Sequence, residues 1–256
     1  MRQILDINCD CGESFGNWKM GMDEEVMPKI TTANIACGFH GGDPVTLLKT
    51  VQLALDNGVR IGCHPGFPDL LGFGRRRIAI SAEDTHAYLV YQIGAIQGAV
   101  RALGGRMTHV KPHGALHTML QTDEVLARAV CQAVVDTMEE TPVIYFAAPH
   151  DRWILPKIAS EMGIRMVPEV YPDLSYDDAG NVIVQRTKQM THIEHATSQL
   201  AGFLDRGEVT TETGISLKLE AESVCVHGDG PNALAVIDAL RAIIAERGIV
   251  TRALVD

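Results

Sequence analysis

Short apolar runs of β-type residues alternate along this chain with longer segments of helical period. The strand-like runs are ILDINCD (4–10), ITTANIAC (30–37), RIGCHP (60–65), MTHVKP (107–112), PVIYFAA (142–148), IRMVPEV (164–170) and ESVCVHG (222–228). Segments 44–58, 81–105, 122–139, 151–163, 192–207 and 232–248 repeat apolar residues at three- and four-residue spacing, which predicts helices. Ser81 and Thr122 stand where an N-cap belongs, and Gly58, Gly104, Gly163 and Gly248 where a helix would stop. Seven strand-like runs with helices between them predict a parallel sheet covered by helices. The stretch 171–182, dense in Asp, Gly and Pro, reads as an excursion loop. No linker, repeat or low-complexity tract interrupts the pattern, so residues 1–256 are expected to form one domain.

Composition narrows the class. The 256 residues are 46% hydrophobic and only 21% charged, a length that α/β barrels reach as one unit. A formal net charge of −10 argues against nucleic acid and anionic membrane surfaces as partners. An anionic small molecule, held by a few local cations, stays compatible with it. No apolar run is long enough to span a bilayer, and the opening MRQILDINCDCGE lacks a signal-peptide core. A cytoplasmic protein is therefore expected. Its six cysteines (Cys9, Cys11, Cys37, Cys63, Cys131 and Cys225), with no CxxC pair, read as reduced thiols.

Candidate chemistry gathers at the C-terminal ends of the predicted strands. Strand one leads to Asn8, Asp10 and Glu13, strand two to Asn34, His40 and Asp43, and strand three to His64 and Asp69. Strand four leads to Lys111 and His113, strand six to Glu169 and Asp173, and strand seven to His227 and Asp229. In a closed parallel barrel these residues converge on one rim, whereas an open sheet spreads them along a line. Their even distribution favours closure. Each has a plainer reading, above all Asp43, which precedes Pro44 and is as well suited to capping a helix as to catalysis. Glycines flank several candidates in GFHGGDP (38–44), HPGFPDLLGFG (64–74), KPHGA (111–115) and HGDGP (227–231), and three cations, Arg75, Arg76 and Arg77, follow the second of these. Arg75 and Arg76 are candidates for holding a carboxylate or phosphoryl group. There is no GxxxxGK[ST], GxGxxG after a strand, HExxH or GxSxG, so P-loop binding of ATP is not expected of this chain.

The motifs DINCDCGESFG (6–16), TTANIACGFHGGDP (31–44), IGCHPGFPDLLGFGRR (61–76), YQIGA (91–95), HVKPHGAL (109–116) and CVHGDGP (225–231) resemble the LamB/YcsF family, in the same order and over essentially the whole chain. Its members belong to bacterial ATP-dependent 5-oxoprolinase as the A-type component. The resemblance implies a seven-stranded α/β barrel of the glycoside hydrolase/deacetylase type. It also implies a part in the ATP-driven opening of 5-oxo-L-proline to L-glutamate, with separate B and C subunits. Two departures stand out. The family's Phe-Ala-Asp-Arg run is Tyr171-Pro172-Asp173-Leu174 here, so the Arg becomes Leu174, and a usual Tyr is His117. A different lactam or related cyclic amide is the corresponding expectation.

Three readings of the rim follow. In the first, an amide-cleaving hydrolase, Asp10, His40 or His64 activates water, Lys111 and His113 stabilise the oxyanion, and Glu169 and Asp229 orient the histidines, His227 among them. Asn8, Glu13, Asn34, Asp43, Arg75, Arg76 and Asp173 then hold substrate. In the second, Asp10, His40 and His64 bind a divalent metal such as Zn²⁺ or Mn²⁺ in a deacetylase or amidohydrolase. In the third, the chain only positions a lactam for its partners. ATP is consumed by the complex and bound by partner subunits, and self-association is left open.

Overall fold

The computed structural model describes residues 3–184 and 189–255. All seven predicted runs are strands: β1 (Ile4–Cys11), β2 (Thr32–Ala36), β3 (Arg60–His64), β4 (Met107–Val110), β5 (Val143–Ala147), β6 (Arg165–Val170) and β7 (Ser223–His227). They pair in parallel in chain order. β7 then returns to β1 in a register running from Asp6↔Ser223 to Asp10↔His227, and the barrel is closed. Around it lie α1 (Pro44–Asp56), α2 (Ala82–Ala102), α3 (Glu124–Thr137), α4 (Ile154–Glu161), α5 (Ile193–Arg206) and α6 (Ala233–Glu246).

The predicted ends are mostly right to within a few residues. Ser81 caps α2, its hydroxyl accepting from Asp84 N at 3.0 Å. α3 is capped by Asp123, not Thr122, because the Asp123 carboxylate reaches Leu126 N at 3.0 Å while the Thr122 N–H belongs to the preceding turn. β4 ends at Val110; the Lys111 N–H still bonds Cys63 O, and Pro112 then offers no N–H to carry the ladder on. The excursion at 171–182 contains a small antiparallel pair, Ser175–Tyr176 with Val182–Ile183. Two further short pairings lie outside the predicted pattern. Glu208–Thr210 pairs with Ser216–Lys218, and Val250–Thr251 adds to the start of β1.

Alternation along β1 sorts two environments. Leu5, Ile7, Cys9 and Cys11 join the apolar core with helix residues such as Val51, Ile93, Val130 and Leu240. Asp6, Asn8 and Asp10 take the other face. Burying the apolar side chains beneath the helices supplies the driving force for closure, at roughly 25 cal/mol per Å² of apolar surface. All six cysteines are free and buried. Among the described residues no helix is long and apolar enough to cross a membrane.

Candidate active site

The partners of Asp6, Asn8 and Asp10 identify their face as the barrel interior. Asp6 accepts from Thr31 and Thr32 Oγ1, both at 2.6 Å, and from Ser223 Oγ at 2.5 Å. One layer higher, Asn8 Nδ2 donates to Ser223 Oγ (2.7 Å) and Glu169 Oε2 (3.0 Å), while its Oδ1 accepts from Asn34 Nδ2 (2.9 Å) and Lys111 Nζ (3.0 Å). Asn34 also donates to Asp10 Oδ1 at 2.9 Å and accepts from His109 Nε2 at 2.7 Å. The Tyr171 hydroxyl donates to Glu169. Each donor here meets an acceptor, which is the condition for burying polar groups without a large desolvation cost.

Lys111 stands where this network meets the rim. Its ammonium lies 3.1 Å from Asp10 Oδ1, 3.3 Å from Glu169 Oε2, 3.0 Å from Asn8 Oδ1 and 2.9 Å from Cys225 Sγ. Burial works against its charge, but Asp10, Cys225 and Glu169 together push its pKa well above the ordinary lysine value. Burial likewise opposes ionisation of Asp10, and His64 and Lys111 overcome it, holding that carboxyl well below the usual range. Three ammonium protons thus face four acceptors. The expected role of Lys111 as a free donor to an oxyanion requires it to give up one of them.

Three histidines form the next part of the rim. His64 Nδ1 bonds the Lys111 carbonyl at 2.6 Å, and its Nε2 lies 3.3 Å from Asp10 Oδ2 and 3.0 Å from His113 Nδ1. His113 Nε2 bonds the Phe73 carbonyl at 2.8 Å. His40 stacks on His113 with ring centroids 3.7 Å apart and 7° between planes, its Nε2 3.4 Å from Glu13 Oε1. Burial, then the neighbouring histidines, push the pKa values of His40 and His113 well below the usual value. Burial and repulsion from Asp10 and Asp229 raise that of Glu13. Gly74 permits the packing: its φ is +63°, and a Cβ there would lie 2.7 Å from His40 Cβ and 2.8 Å from His113 Cδ2.

Across the rim, Asp173 Oδ2 accepts from His227 Nδ1 at 2.8 Å and from the His227 N–H at 3.1 Å. Asp173, not Glu169 or Asp229, is therefore the carboxylate that orients this ring. Asp229 instead faces Arg75 at 3.8 Å. A narrow cleft of about 70 Å³ opens above these groups, with Asp10, Glu13, Arg75, His113, His227 and Asp229 in its wall.

The fold assembles Asn8, Asp10, Glu13, Asn34, His40, His64, Arg75, Lys111, His113, Glu169, Asp173, His227 and Asp229 in and around this end of the barrel. Two predicted residues lie apart. Asp43 caps α1, accepting from Val45 N and Thr46 N at 2.8 and 2.9 Å, with Gly16 N on its other oxygen. Arg76 pairs with Asp69 and leaves most of its side chain in solvent. Sequence reasoning missed His109 and Tyr171. His109 was legible in principle, since it sits two residues before Lys111 on the same strand face. Tyr171 was legible on the same spacing, two residues after Glu169, although the hydrogen bond between them was not.

The LamB/YcsF family model matches residues 5–256. The A-type component of 5-oxoprolinase from Bordetella parapertussis is 42% identical over 255 residues, covering 99% of this chain and 100% of the relative. Its counterpart from Bacillus subtilis is 41% identical over 248 residues, covering 96% of this chain and 95% of the relative. Among solved structures, a lactam utilization protein from Thermus thermophilus superposes with a TM-score of 0.88 at 36% identity, covering 99% of this chain and 100% of that one.

Proposed function

This chain belongs to the LamB/YcsF family, and from that premise we propose that it is the ring-opening, A-type component of an ATP-dependent 5-oxoprolinase, acting with B- and C-type subunits. Its full-length similarity to A-type components of 5-oxoprolinase, and to a lactam utilization protein, supports a place in that system. The observation that carries the chemical part is His227, held by Asp173 and standing in the cleft wall with the ionised Asp10.

A lactam carbonyl is a resonance-stabilised amide and a poor electrophile, so its opening is coupled to ATP. The chain has no GxxxxGK[ST] motif, and activation is accordingly assigned to the partner subunits. The barrel receives the activated, anionic intermediate. Water adds to the ring carbon bearing the phosphorylated oxygen, and a base takes the water proton. The ring C–N bond breaks as the departing nitrogen is protonated, and a second water hydrolyses the acyl phosphate left behind to the carboxylate and phosphate. His227 suits the base because Asp173 holds the Nδ1 proton, leaving Nε2 as the accepting nitrogen. Asp10 is a weak base for this step, its carboxyl being held so far down; its negative charge instead favours the imidazolium that forms. Arg75 in the cleft wall suits the anionic group.

A second reading, another lactam or related cyclic amide as substrate, is favoured by one residue. Leu174 lines the cleft, an apolar side chain where the family resemblance implies Arg.

Reconstitution with B- and C-type subunits tests both. Glutamate should form from 5-oxoproline with ATP hydrolysed, and the isolated chain should do neither. His227→Gln and Asp173→Asn should lower kcat by about 10²–10⁴-fold. Strong ATPase activity in the isolated chain, or full turnover with His227→Gln, would overturn the assignment. Turnover of a different cyclic amide, with 5-oxoproline inert, would select the second reading.

A further inference from the structure

Beside the Asp10–Lys111 pair, three imidazoles and a carboxylate crowd together. Two tautomers are fixed by backbone carbonyls, which can only accept. His64 Nδ1, 2.6 Å from the Lys111 carbonyl, must carry its hydrogen, and so must His113 Nε2, 2.8 Å from that of Phe73. The other two nitrogens, His64 Nε2 and His113 Nδ1, face each other at 3.0 Å. In neutral rings both are lone pairs.

His40 adds a third. It is fully buried, and neither ring nitrogen has a hydrogen-bond partner. Its ring lies in a cradle that side chains would fill: a Cβ on Gly66 would fall 2.6 Å from His40 Nδ1, and one on Gly74 would strike the same residue's Cβ. Glu13 Oε1 closes the group, 3.4 Å from His40 Nε2 and 3.9 Å from His113 Nδ1. One ligand atom from each of these four residues lies within 4.8 Å of all the others. An extra proton between His64 and His113, or one on Glu13 toward His40 Nε2, would relieve a single contact but still leave His40 Nδ1 without a partner.

We propose that Glu13, His40, His64 and His113 form the binding site of one divalent transition-metal ion of the zinc class. Three imidazole nitrogens and one carboxylate oxygen are a donor set suited to such an ion. The set differs from the trio Asp10, His40 and His64 suggested by the sequence. Asp10 is already held by Lys111 and Asn34, with its Oδ2 3.3 Å from His64 Nε2, whereas Glu13 and His113 complete, with His40 and His64, the four whose ligand atoms lie together. The backbone carbonyls on His64 and His113 orient both rings as ligands. When bound, the ion would supply Lewis-acid chemistry at the cleft. The site stands independently of the lactam reading, since it is argued from protein donors alone.

The test is binding of zinc(II) and cobalt(II) to the purified full chain stripped of metal, followed by calorimetry, cobalt visible absorption and thermal unfolding. One equivalent should bind, with cobalt d–d bands of a low-coordinate site and a higher melting temperature in zinc. His40→Ala and Glu13→Gln should each weaken affinity by at least about tenfold, whereas Asp10→Asn should keep it. If His40→Ala fails to fold, Glu13→Gln decides. Absence of binding to the folded wild-type chain, unchanged affinity in Glu13→Gln, or loss in Asp10→Asn equal to that in Glu13→Gln would overturn the proposal.

Discussion

Lys111 shows how a single side chain can look like a reagent and be part of the frame. It holds Asp10 and Glu169 together inside the barrel mouth. Lys111→Met would leave two buried carboxylates without their cation, and removing one partner of a buried pair costs on the order of 3–5 kcal/mol. A loss of that size in urea unfolding is expected, together with loss of turnover in the reconstituted complex. A variant as stable as wild type would show that the ammonium is free for substrate after all. His109 gives a second residue-scale expectation. Burial, followed by the charge of Lys111, pushes its pKa from 6.5 down to about 3. Between those values the unfolded chain binds a proton there that the folded chain refuses. Stability is therefore fully present above pH 6.5 and falls as pH is lowered, by up to about 1.4 kcal/mol per pH unit from this group. Urea unfolding of His109→Gln between about pH 6 and pH 4 should show a shallower slope than wild type. Equal slopes would place the acid sensitivity elsewhere.

At the scale of elements, strand ends carry the chemistry and a helix start carries one of the false leads. Asp43 looks like a rim acid because it follows β2, yet its carboxylate is spent on the first turn of α1 and on Gly16 N. Those N–H groups hold its pKa down to about 2. Asp43→Ala should lower stability by about 1 kcal/mol, the usual value of an N-cap, and leave KM of the reconstituted complex unchanged. A rise in KM with no loss of stability would return Asp43 to the site. The same element-scale logic explains why Asp10, Lys111, Glu169 and His227 were legible: period two and the end of an apolar run give both face and height. The partners it suggested for His227 (Glu169 and Asp229) were not the one the fold supplies. Asp173 lies in the turn after β6 and reaches His227 of β7, 54 residues away, only through the fold.

For the whole molecule, closure is the decisive event. β7 joins β1 along five register pairs, and Ser223 then bonds Asp6 and Asn8 across 217 and 215 residues of chain. A chain ended at Gly207 lacks β7 and α6, and exposes β1 and β6 as edges around an unsatisfied polar interior. It should lack the cooperative unfolding transition of the full chain, as followed by circular dichroism in urea. A cooperative transition in the truncated chain would mean that an open sheet suffices.

What the sequence determined by itself is the alternation of strand and helix, the closed seven-stranded barrel and the rim where its polar residues gather. The alternation follows from local periodicity, because side-chain direction repeats every two residues in a strand and about every 3.6 in a helix; closure was expected from the even spread of polar residues over the strand ends and from the family resemblance. What only the tertiary structure decided is which of those polar residues meet. The sequence placed Lys111 and His113 together at one carbonyl oxygen, but the fold sends Lys111 to Asp10 and Glu169, and His113 to His64 and Phe73. Hydrogen-bond partners are set by distances between segments far apart in the chain, and periodicity carries no information about those distances.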